Sequence, residues 1–146
     1  MSEPRRFHAA YLETRFRTPA MVSRWPDRFV ILSAFATTGE TWTDERNDAA
    51  DQALGRELRG RGWLARIVGY SPSSGHAEPS WAVEMPIRQA REVGSRFKQD
   101  AIFAVRGNRL RVIRCGESCL SAVVGSFLER LDGEAKNVHD GSSTTA

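Results

Sequence analysis

Two short apolar runs constrain this chain most. Residues 29–36 read FVILSAFA and residues 100–105 read DAIFAV. Both are rich in β-branched and aromatic residues, and both are apolar on alternate positions in either phase. A strand of that kind belongs inside a sheet, covered on both faces. Each run also stands beside a segment whose apolar residues recur every three to four positions. Ala49, Ala50, Ala53, Leu54 and Leu58 follow the first run; Ile87, Ala90, Gly94 and Phe97 precede the second. The chain must therefore build a sheet and lay amphipathic helices against it.

The punctuation between these segments predicts the remaining elements. Thr43 is a good N-cap, followed by Asp44 and Glu45 in the first helical turn, where the helix dipole favours acids. Gly60 and Gly62 end that helix. Residues 63–70 read as a second strand, 71–79 as a polar loop with two prolines, and 81–85 as a third strand. Pro86 opens a helix over 87–97. Strands at 101–106 and 109–114 are joined by Gly107-Asn108, a hairpin dipeptide. A last helix is expected over 119–131, and a short one near 5–14 in an N-terminal arm. The succession β-α-β-β-α-β, plus one strand, predicts an α+β two-layer sandwich. Its core would be a ferredoxin-like split βαβ with an extra C-terminal hairpin strand and flanking terminal helices. Residues 1–132 are expected to form one globular domain, and residues 133–146 a disordered polar tail.

Composition narrows the setting. The chain has 146 residues, and no apolar stretch approaches the roughly 18 residues of a membrane helix. The N-terminus has early arginines but no apolar stretch behind them, so the expected location is the cytoplasm. Cys115 and Cys119 have neither redox nor zinc spacing and read as two free thiols. His8, His76 and His139 lie in separate regions, and no metal or cofactor is expected. The stretch from Gly55 to Gly62 echoes a phosphate-binding loop but lacks the lysine and the following hydroxyl residue.

The net charge of +3 is uneven: residues 63–114 carry eight arginines and one lysine against four acids. Basic surfaces attract anionic partners, leaving a protein, an anionic ligand or a nucleic acid open. The nucleic-acid candidates are Arg106, Arg109, Arg111 and Arg114, crowded on the last hairpin. Charge on an exposed edge strand, which prevents edge-to-edge aggregation, accounts for them equally well. His76, Glu78 and Ser80 alternate, so an extended segment would put a histidine, a carboxylate and a hydroxyl on one face. Neighbours along one strand stand side by side and do not converge as a hydrolytic relay requires.

The residues also resemble a family catalogued as domain of unknown function 3293, over roughly residues 9 to 115. The resemblance rests on Ala10-Tyr11 with Thr14 and Phe16, on Ile31 to Phe35, and on Glu45, Arg46 and Asn47. It continues through Gly69, Ser71-Pro72, Glu78-x-Ser80-Trp81 and, most specifically, Arg96-Phe97-x-Gln99-x-Ala101-Ile102-Phe103. Relatives tend to carry Asn-Pro where this chain has Ala36-Thr37. The resemblance implies the domain boundaries and no activity. Asn47, Glu78, Ser80 and Gln99 are the ligand-binding candidates, polar residues at element ends. Any pocket is expected near the end of the first strand and the loop at 71–80. The favoured reading is a small cytoplasmic binding or regulatory domain without catalysis. The alternatives are a hydrolase-like enzyme with a site near Glu78, Ser80 and Gln99, and a nucleic-acid binder acting through the arginine-rich strands.

Overall fold

In the computed structural model, which describes Phe7 and residues 9–36, 40–116 and 120–132, the apolar run at residue 29 forms an interior strand. The strands are β1 (Arg15–Arg17), β2 (Arg28–Leu32), β3 (Leu64–Tyr70), β4 (Ala77–Val83), β5 (Ala101–Arg106), β6 (Arg109–Arg114) and β7 (Ser121–Ser126). The helices are α1 (Ala9–Glu13), α2 (Asp44–Leu58), α3 (Ile87–Arg96) and α4 (Phe127–Arg130). All seven strands join one sheet in the order β1-β3-β4-β2-β5-β6-β7, with every neighbouring pair antiparallel.

Alternation along the strands splits the apolar residues into two cores. On the outer face, Val30, Leu32, Ile102, Ala104 and Ile113 pack with Leu54 and Leu58 of α2 and with Ala90 and Val93 of α3. Trp81 fastens α2 there: its indole N–H lies 3.1 Å from Asp51 Oδ1, and the Arg66 guanidinium stacks 3.9 Å above the ring. On the inner face, Phe29, Ile31, Ile67, Phe103, Val105, Leu110 and Val112 surround Phe16 and Phe127. Several of the aromatic rings meet edge to face, as Phe16 and Phe103 do with centroids 5.3 Å apart.

The inner core exists because the sheet curls. β1 and β7 are the two edges, yet Phe16 of β1 bridges to Leu131, just past α4, and the Asp132 N–H donates to Phe16 O at 2.7 Å. Arg130 spans the remaining gap. Its guanidinium donates to the carbonyls of Leu12 and Thr14, each at 2.9 Å, and to that of Val124 on β7. Burial pulls the Arg130 pKa down from its ordinary value. The corner leading to it is set by Asn108, which accepts from the backbone N–H groups of Phe127 and Leu128 at 2.8 Å. Gly107, at φ 63°, supplies the positive φ at the first central position of that hairpin turn.

The expected two-layer, ferredoxin-like sandwich is therefore corrected. The strands and helices follow one another largely as read, but they build a curled seven-stranded antiparallel sheet with a core on each face. The expected helix over 119–131 is also corrected. Residues 121–126 form β7, and only Phe127–Arg130 are helical. Alternation puts Ala122 in the inner core while Val123 is exposed on the other face. β1 has no counterpart among the expected elements, since three residues carry no periodicity. The third strand begins at Ala77, not 81, and includes Pro79. Residues 77–79 pair only with β3, because the β2 ladder stops at Leu32↔Trp81, so Pro79 occupies a locally edge-like position. Thr43 caps α2 as expected, its side chain accepting the Arg46 N–H at 3.1 Å. The N-terminal residues, Cys119 and the polar tail lie outside the described residues.

Candidate functional site

β2 ends at Leu32 although the apolar run continues to Ala36. The reason is a change of hydrogen-bond partner. Ser33 Oγ accepts the Phe35 N–H at 3.1 Å, and Asn47 Oδ1, in the first turn of α2, accepts the Ala36 N–H at 2.9 Å. From the other side, Gln99 Nε2 donates to Phe35 O at 2.8 Å and to Phe97 O at 3.2 Å. Asn47 and Gln99 thus hold residues 35–36 away from the ladder and open a space beneath them.

That space is a cavity of about 480 Å³ at the mouth of the curl. The size falls within the range typical of small-molecule sites. Its floor is the inner face of the sheet, with Phe16, Ile31, Gly69 and Phe103, and Tyr11 of α1 and Phe35 flank it. The polar wall comes from the far ends of β3 and β4 and the turn between them. Ser71 accepts the Gly75 N–H and donates its own N–H to His76 O, at 2.8 and 2.9 Å, with Gly75 at φ 76°. Glu13 of α1 accepts from the Ser71 and Ser73 hydroxyls, which hold its carboxyl below the usual range and pin the turn to α1.

Glu78 sits at the centre of this wall. Ser33 Oγ donates to its Oε1 at 3.0 Å, and His76 Nε2 lies 2.9 Å from its Oε2. The four ligand-binding candidates, Asn47, Glu78, Ser80 and Gln99, all line the one cavity. Sequence reasoning missed Ser33, whose position in an apolar run gave no signal of its own, and the aromatic contribution of Tyr11 from the arm.

The chemistry of the wall is not that of a hydrolytic relay. In a Ser-His-carboxylate relay the imidazole stands between the hydroxyl and the carboxylate. Here the carboxylate stands in the middle, between hydroxyl and imidazole. Ser33 donates a hydrogen bond to Glu78, and buried Ser80 donates to the backbone carbonyl of Glu78 at 3.2 Å. Cys115 is packed in the outer core against Gly94, and burial pushes its thiol up to about 11, which leaves it a poor nucleophile. Among the described residues no three His, Cys, Asp or Glu side chains converge as metal ligands, and no helix is long and apolar enough to cross a membrane.

The arginine candidates separate. Arg106 and Arg109 are exposed and directly opposite one another, and Arg111 follows on the same outer face. Arg114 points to the inner side, with its guanidinium 5.1 Å from the Phe7 ring centroid. β6 is not an edge strand: it pairs with β5 on one side and β7 on the other. The aggregation-guard account of its charges therefore fails.

A curled antiparallel sheet with a cavity inside its mouth defines the class: a half-barrel α+β domain. Residues 32–102 match the family described as Protein of unknown function (DUF3293). The matched segment supplies Ser33, Asn47, His76, Glu78, Ser80 and Gln99. No curated protein and no solved structure matches the chain.

Proposed function

We propose that the protein is a small-molecule-binding domain whose cavity takes a largely apolar ligand that is neutral or positively charged. The observation that carries this reading is the charge of the lining. Among the described residues no lysine or arginine lines the cavity, where the charged groups are Glu40 and Glu78, with His76 beside them. A phosphate or carboxylate entering would lose its water and meet carboxylate oxygens with no fixed cation. An ammonium or amidinium would meet Glu78, which Ser33 and His76 hold in one orientation and whose side chain is 27% exposed. Tyr11, Phe16, Phe35 and Phe103 offer apolar area and ring faces, to which cations are also attracted. The order of the wall, with Glu78 between the Ser33 hydroxyl and the His76 imidazole, supports binding over turnover.

A thermal-shift comparison of small aromatic amines, alcohols, carboxylates and phosphates tests the reading. Amines and alcohols should raise the melting temperature, and Ala36→Trp, which fills the cavity from its rim, should remove the shift. Stabilisation by carboxylates or phosphates equal to that by amines, or shifts that survive in Ala36→Trp, would overturn it.

A further inference from the structure

The outer face of the sheet carries a second arrangement, at the end of the strands remote from the cavity. Arg28 of β2 pairs directly with Arg106 of β5, and Arg106 pairs directly with Arg109 of β6. Directly opposed residues share a face, so three guanidinium groups stand in one rung across three adjacent strands. Neighbouring strands lie about 4.8 Å apart, which spreads the rung over about 10 Å. Arg111 lies two residues further along the same face, roughly 7 Å away. Arg28, Arg106 and Arg109 are all exposed, and none makes an ion pair among the described residues.

Like charges directly opposite one another destabilise a sheet. Protection of a free edge does not explain them, because β2 and β5 are interior strands and β6 is paired on both sides. The face also lacks what a protein interface is built on. Among the described residues, the exposed large apolar side chain beside the arginines is Val123, and no exposed aromatic residue accompanies it. A row of guanidinium groups with no exposed aromatic residue beside it among the described residues suits a partner recognised by charge. Arginine is also the side chain best matched to phosphate geometry.

We propose that Arg28, Arg106 and Arg109, with Arg111 beside them, form a site for the phosphate backbone of a nucleic-acid duplex, independent of sequence and of the cavity. The arms of the test are fluorescence-anisotropy titrations of a 20-base-pair duplex at several salt concentrations. The proteins are wild type, Arg106→Gln with Arg109→Gln, and the charge-matched control Arg56→Gln with Arg59→Gln on the far end of α2. Each phosphate contact contributes about 0.9 to the slope of log K against log salt. The rung pair should lower the slope by about 1.8 and melt no lower than wild type, since a like-charge pair is relieved. The control pair should leave the slope unchanged, and Arg106→Lys with Arg109→Lys should restore most of it. Failure of wild type to bind duplex at about 50 mM salt, an equal slope change in both Gln pairs, or tighter binding of polyglutamate than of duplex would overturn the proposal. The last outcome would point to an acidic protein partner.

Discussion

Ser33 and Glu78, 45 residues apart in the chain, are joined by a hydrogen bond of 3.0 Å from the Ser33 hydroxyl to the Glu78 carboxylate. The contact links the point where β2 leaves the ladder to the stretch of β4 that has lost β2 as a neighbour. It sets the carboxylate in the cavity wall at the place where the sheet opens.

The first prediction concerns that link. Ser33→Ala and Glu78→Gln should each cost about 1 kcal/mol in urea denaturation, with a coupling of roughly 0.5–1.5 kcal/mol in the double-mutant cycle. Additive losses would mean that the contact does not hold the wall.

Arg130 should matter far more than a surface arginine. It satisfies three carbonyls drawn from both edges of the sheet. Arg130→Met should cost about 3 kcal/mol, roughly 1 for each acceptor left in a poorly solvated gap. Arg130→Lys should recover only part of that, because an ammonium cannot span the three carbonyls as the planar fork does. A loss below about 1 kcal/mol would show that the curl closes without this clasp.

Gly94 reverses the usual helix rule. Replacing a helical glycine with alanine generally gains up to about 1 kcal/mol. A Cβ here would lie 2.6 Å from Cys115 Sγ and 3.0 Å from Ile102 Cγ2, so α3 would have to lift from the sheet. Gly94→Ala should therefore lose about 1–2 kcal/mol net, since overpacking outweighs propensity. A more stable variant would show that α3 is not seated as described.

Cys115 gives a pH signature. Its thiol is raised to about 11, chiefly by burial, against an ordinary value near 8.5. A raised folded-state pKa means that its contribution to stability is complete below the unfolded value and is lost as pH rises toward 11. Stability should fall between about pH 8.5 and 11, and Cys115→Ser should flatten that fall. At pH 8 the native Cys115 peptide should resist alkylation in mass spectrometry and react once the chain is unfolded. Rapid native alkylation of Cys115 would contradict its burial.

The sequence carried local information well and global shape poorly. FVILSAFA and DAIFAV announced interior strands because both of their faces are apolar, and Thr43 and Gly107-Asn108 marked a helix start and a hairpin through their own backbone chemistry. Curling is not a local property. It depends on Phe16 reaching Leu131 and on Arg130 spanning the gap, contacts between residues more than 110 positions apart. The same apolar alternation suits a flat sheet with one solvated face, so the second core could not be read from it. SAVVGS suits a helix as well as a strand, because short apolar runs do not separate the two periods. Asn47, Glu78, Ser80 and Gln99 were legible as polar residues at element ends. Ser33 was not, because its role arises only where β2 stops.

Calorimetric titration with two naphthalene probes, identical except that one bears an aminomethyl group and the other a carboxylate, tests the reading of the cavity most directly. Wild type should bind the amine at least tenfold more tightly than the carboxylate, and Glu78→Gln should erase most of that preference while remaining folded. Equal or tighter binding of the carboxylate, or a preference unchanged in Glu78→Gln, would contradict it.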